Sequence, residues 1–141
     1  MKKALLLFLC FIGLTTTSCS LDDDGANFYF VPLQIVDAEL PESFMLNQTY
    51  QIKVTYVAPN DCTTFEGFDI TKSDSEDMIV RNVVAIGSEI EQQQCTQVVQ
   101  EIETTFSFLC LYSKTYVFRF WTGEDANGES EYLEFEVPVN Q

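Results

Sequence analysis

The 141-residue chain predicts an all-β fold, a single antiparallel β-sandwich of about seven strands. Three observations carry that reading. Several stretches alternate apolar and polar residues with period 2. No stretch sustains a 3.6-residue apolar period, and turn-forming residues punctuate the chain at short intervals. The composition supports a packed core, with 46% hydrophobic and 13% aromatic residues.

The elements follow in order. Phe28 to Ala38 is an apolar stretch containing Pro32. Proline donates no ladder hydrogen bond, so the stretch is an edge strand or two half-strands. Tyr50, Ile52, Val54 and Tyr56 alternate with Gln51, Lys53 and Thr55 in a half-buried second strand ending at Pro59-Asn60-Asp61. Thr63 to Thr71 is a third, with Phe65, Phe68 and Ile70. Met78 to Ile86 is a fourth, whose faces the adjacent Val83 and Val84 leave unassigned. Val98, Ile102, Phe106 and Phe108 share one parity in a long fifth strand, opposite Glu101, Glu103 and Thr105. Thr115 to Trp121 is a sixth, with Tyr116, Phe118 and Phe120 on one face. Leu133, Phe135 and Val137 mark a seventh. Between the last two, Gly123 to Gly128 contains Asn127-Gly128, a pair suited to the positive φ angles of a hairpin.

Everything before Phe28 reads differently. Lys2 and Lys3 precede an apolar run of 11 residues, Ala4 to Leu14, followed by Thr15, Thr16, Thr17, Ser18 and Cys19. A span of the bilayer takes roughly 20 apolar residues, so this is a secretory signal. Thr16-Thr17-Ser18-Cys19 resembles the lipobox of bacterial lipoproteins, with Thr16 where that family usually has Leu. The resemblance implies cleavage after residue 18 and acylation of Cys19. The run Cys19-Ser20-Leu21-Asp22-Asp23-Asp24 resembles lipoproteins of the Bacteroidota. There, acidic residues after the lipidated cysteine mark export, which implies that Asp22, Asp23 and Asp24 direct display on the outer face of the outer membrane. The expected organisation is a signal peptide over 1–18, a lipidated acidic tether over 19–27 and one domain over 28–141. Acyl chains on Cys19 are then the membrane contact, since two or more hold a protein without a transmembrane helix.

The strand order resembles an immunoglobulin-like domain. Lys114-Thr115-Tyr116-Val117-Phe118 is similar to the start of that fold's sixth strand, where a tyrosine hydrogen-bonds back to a loop. Phe118-Arg119-Phe120-Trp121, Gly123 to Gly128 and Pro138-Val139 also resemble small uncharacterised lipoproteins of the Bacteroidota. That likeness supplies no active site.

Charge and composition narrow the function. Acidic residues outnumber basic ones 22 to 7, for a net charge of −15, and there is no histidine. Loss of the signal removes both N-terminal lysines and leaves five basic residues against 22 acidic ones, or −17. Such a chain does not neutralise phosphates, so nucleic acid is excluded as a partner. Ser-His-Asp and Cys-His catalysis and His-ligated zinc are excluded with the missing histidine. No metal or cofactor is expected. Glu101 with Glu103, and Glu134 with Glu136, read as charged outer faces rather than the acid pair of a hydrolase. Asp125-Ala126-Asn127-Gly128 is too short for a calcium loop and is accounted for by the hairpin. Asp74-Ser75-Glu76-Asp77 reads as a solvated turn. Trp121 and Tyr132 flank the hairpin, and the sequence places them across from each other, as rim packing or as contacts for a sugar or peptide.

Of the five cysteines, Cys10 leaves with the signal and Cys19 is taken by lipid. Cys62, Cys95 and Cys110 remain in a compartment that permits disulfides. Counting strand directions places Cys62 and Cys95 at one end of the sandwich and Cys110 at the other. The expectation is a Cys62–Cys95 bridge and a buried free thiol at Cys110. The expected function is a surface lipoprotein that binds an envelope protein, a glycan or a host surface without catalysis. The alternatives are a structural or accessory subunit of an envelope complex and, more remotely, a small carboxylate-dependent hydrolase.

Overall fold

The computed structural model describes residues 27–76, 78–91 and 94–140. The segment expected to be a signal peptide, Cys19, the acidic run Asp22 to Asp24 and Asp77 lie outside the described residues.

Ten strands form among the described residues: β1 (Phe28–Leu33), β2 (Ile35–Glu39), β3 (Phe44–Met45), β4 (Thr49–Ala58), β5 (Thr64–Lys72), β6 (Met78–Ile90), β7 (Gln100–Leu109), β8 (Thr115–Glu124), β9 (Ser130–Val137) and β10 (Val139–Asn140). The seven expected strands are all present. The first is two half-strands, and β3 and β10 add a two-residue parallel pair. The break falls at Gln34 rather than Pro32, which sits inside β1. The fifth strand begins at Gln100, so Val98 lies before it and is exposed.

The strands make two layers. In the larger, β6 is central and pairs with β5, β1 and β8, and β8 pairs with β9. β5 spans Arg81 to Ser88 of β6, while β8 spans Met78 to Val83 and β1 spans Ala85 to Ile90. β5 overlaps both of the other ranges, so β1 and β8 share the opposite edge, end to end. The smaller sheet runs β2-β4-β7, and the chain switches sheets between β1 and β2.

The sandwich is not wholly antiparallel: β6 and β8 are parallel over Met78–Val83 and Thr115–Phe120. The cause is the up-and-down alternation itself. β7 pairs with β4 in the other layer, so β6 and β8, which point the same way, become neighbours joined by a crossover.

Alternation in each strand sends one face into the core. Ile52, Val54 and Tyr56 of β4 meet Tyr116, Phe118 and Phe120 of β8, with Phe44, Ile35 and Val83 among them. In β6 the inward set is Ile79, Arg81, Val83 and Ala85, which resolves the Val83–Val84 ambiguity. The buried arginine in that set is unusual for a core position. The Tyr116 hydroxyl accepts backbone hydrogen bonds from Leu111 (3.2 Å) and Tyr112 (3.1 Å), reaching back to the loop before its own strand. The hairpin is built otherwise than Asn127-Gly128 suggested. Gly128 alone of that pair has positive φ (81°), and its N–H donates to the Asp125 carbonyl. That is a type I turn closed by a left-handed glycine.

Candidate binding surface

Three well-exposed large side chains, Phe28, Phe30 and Ile90, share the outer face of the larger sheet. Phe28 pairs with Ile90, Phe30 with Ser88, and Leu33 with Ala85. Leu33 and Ala85 point into the core, so the alternate residues Phe28, Phe30, Ser88 and Ile90 point away from it. Thr64 of β5 pairs with Ser88 from the other side and joins the same face. Phe28 is 60% exposed, Phe30 64% and Ile90 45%. With Cys62, Thr64, Glu66 and Ser88 they line an open depression of about 340 Å³. The Phe28 and Phe30 rings meet edge to face at 5.4 Å. Ser88 donates to Glu66 Oε1 at 2.5 Å, which engages the polar groups of the floor with each other. Phe28, Phe30 and Ile90 dominate what remains presented to solvent, beside the exposed Thr64 and Glu66 side chains.

This end of the sandwich is pinned. Cys62 and Cys95 form the expected disulfide, with Cα atoms 5.6 Å apart, and Cys110 is a buried free thiol at the far end of β7. Glu89 accepts hydrogen bonds from Tyr29 (2.8 Å), Thr63 (2.9 Å) and Asn60 (3.0 Å). The Tyr29 bond, then the Thr63 bond, hold its carboxyl below the usual glutamate value, against partial burial. One carboxylate thus ties β1 to β6 and to the loop before β5, directly beneath the aromatic patch.

Trp121 and Tyr132 are in register across β8 and β9, as the sequence placed them. Both are half-buried. The Arg119 guanidinium stands 4.4 Å over the Tyr132 ring and 3.2 Å from Glu134. Trp121 lines a second depression, of about 330 Å³, with Pro32, Gln34 and Pro59. The exposed aromatics are instead Tyr112, in the loop after β7, and Phe28, Tyr29 and Phe30, which the sequence marked only as strand formers. The available signal was that β1 is apolar at both parities, while an edge strand buries one face only.

Asp125 is engaged within its own turn. Asp125 Oδ1 accepts from the Asn127 N–H (2.8 Å) and the Glu129 N–H (2.9 Å), and these bonds, Glu129's first, hold its carboxyl below the usual value. Asp61, Cys62 and Cys95 bring potential metal-ligand atoms within 4.8 Å. Metal ligation needs thiolates, and both sulfurs are in the disulfide. Among the described residues no helix is long and apolar enough to cross a membrane. Compared with protein-family models, curated proteins and solved structures, the chain has no match.

Proposed function

We propose that this chain is a lipoprotein anchored through acyl chains on Cys19, displayed on the outer face of the outer membrane, whose immunoglobulin-like sandwich binds a partner protein without catalysis. The address rests on the lipobox-like and acidic segments of residues 16 to 24. The binding role rests on one observation, the exposed Phe28, Phe30 and Ile90 cluster on a strand that opens the domain. A cluster of that kind on a folded domain marks an interaction surface. The groups around the rings favour a protein over a glycan. Sugar recognition needs several outward polar groups around the aromatic face, and here Ser88 and one Glu66 oxygen bond each other, which leaves the second Glu66 oxygen and Thr64 beside the rings.

The test is a pull-down from envelope extract with residues 28–141, run beside a Phe28→Ser, Phe30→Ser variant. The reading expects a protein retained by the first and lost from the second. Equal recovery by both, or none by either, overturns it.

A further inference from the structure

β7 ends its sheet: Gln100–Leu109 pairs with β4 and with no other strand among the described residues. Proteins guard such edges with bulges, prolines, lysines or short length. The other edges here are guarded. β1 contains Pro32, and β2 is five residues with a register shift. β5 is bulged at Phe65/Gly67 and ends at Lys72, and β9 carries Glu131, Glu134 and Glu136 and runs into Pro138. β7 has none of these devices except two glutamates near its start. It pairs with β4 through ten consecutive residues without a shift, from Thr49↔Leu109 to Ala58↔Gln100.

The direction of its free backbone groups follows from one bond. The Cys110 N–H donates to the Gln48 carbonyl (3.0 Å), which continues the same register by one pair. Hydrogen-bonded pairs recur every second residue in an antiparallel ladder. Even-numbered residues of β7 therefore turn their backbone groups toward β4. Glu101, Glu103, Thr105, Ser107 and Leu109 turn theirs toward the open edge.

We propose that this edge joins a second copy of the same chain, β7 to β7 and antiparallel, about a two-fold axis at Thr105. The sequence is self-complementary in that register. Glu101 faces Leu109 and Glu103 faces Ser107, so no carboxylate opposes a carboxylate. On the core-facing side, Ile102 meets Phe108 and Thr104 meets Phe106. Moving the axis to Glu103 would set that carboxylate against its own copy. Ile102, Phe106 and Phe108 are only half-buried in the single chain. Phe106 lies 5.1 Å from Phe68 on the side where Ile70 is also exposed, so a paired strand covers an incompletely closed flank. The product is a continuous six-stranded sheet, β2-β4-β7-β7-β4-β2. The Phe28 and Phe30 patch lies on the other sheet and takes no part, so this inference stands or falls apart from the binding role.

Every buried core residue among the described residues lies between Leu33 and Val137, so residues 27–141 carry that core and serve for the measurement. Sedimentation of that segment at 0.15 M salt is expected to give twice the chain mass. Thr105→Pro deletes an N–H aimed at the open edge and leaves the β4 ladder whole, and Thr105→Lys sets two charges face to face on the axis. Each should sediment as a monomer that still unfolds cooperatively, with a thermal midpoint that no longer rises with protein concentration as the parent's does. Mixing Thr105→Lys with Thr105→Glu should restore the double mass. A monomeric parent chain, or a dimer that survives both Thr105→Pro and Thr105→Lys, overturns the proposal.

Discussion

Arg81 and Asp74 form an ion pair across the mouth of the sandwich, 2.6 Å from Nη1 to Oδ1, with the guanidinium inside and the carboxylate half in solvent. The same Nη1 donates to the Val80 carbonyl at 2.8 Å, and the guanidinium carbon stands 5.7 Å from the Tyr116 ring centre. The side chain occupies an inward position of β6 because its long stem packs in the core while its charged end reaches the rim. Removing the partner and removing the charge should therefore differ in sign. Asp74→Ala strands a buried cation and is expected to cost about 1–3 kcal/mol. Arg81→Met fills the same space without a charge and is expected to be neutral or stabilising. Urea denaturation of the two variants checks both, and equal losses would refute the account.

The Cys62–Cys95 bridge closes a loop of 33 residues' separation. Chain-entropy arithmetic values such a loop at roughly 3–4 kcal/mol, so the Cys62→Ala, Cys95→Ala variant should lose about that much. Burial raises the Cys110 thiol above its ordinary value. Iodoacetamide should leave Cys110 unmodified in the native protein and alkylate it in denaturant. Mass spectrometry reads both states.

Glu89 makes the disulfide end of the domain pH-sensitive. Its folded carboxyl sits below the ordinary 4.5, so the unfolded chain binds the proton more readily. The stabilisation is fully present above that ordinary value and is lost as pH falls through the lower folded value. Between pH 6 and pH 3 the parent chain should lose more stability than Glu89→Gln. Denaturation midpoints at the two pH values settle the comparison, and identical losses would count against the network.

The anchoring proposal makes a prediction outside the described residues. Cys19→Ala should leave an uncleaved or mislocalised precursor. Replacing Asp22, Asp23 and Asp24 with Ala should leave the protein lipidated but shielded from external protease. Metabolic labelling with a fatty acid and protease shaving of intact cells test the two separately. Normal processing of Cys19→Ala would end the lipoprotein reading.

Local pattern accounts for much of this fold. The alternation around Ile52, Val54 and Tyr56 and around Tyr116, Phe118 and Phe120 is enough to choose strand over helix and to name an inward face. Strand directions then follow from counting, which is why Cys62–Cys95 and the solitary Cys110 are legible in the sequence. Where both parities are apolar, counting fails. Phe28 to Leu33 and Ile79 to Ile86 each needed a neighbour to say which side was covered.

Sequence alone determined the secondary structure type, the cysteine pairing, the excess of acid and the exclusion of histidine chemistry. The pairing follows from counting strand directions along the chain, and the others depend on composition and on pattern over one or two residues. Tertiary structure decided that β6 and β8 lie side by side and parallel, that Arg81 is buried, and that Phe28 and Phe30 face solvent. It also decided which edge is left open. Each of those turns on which strands share a layer, a choice made by packing between residues dozens of positions apart, and period-2 alternation is the same whichever sheet a strand joins.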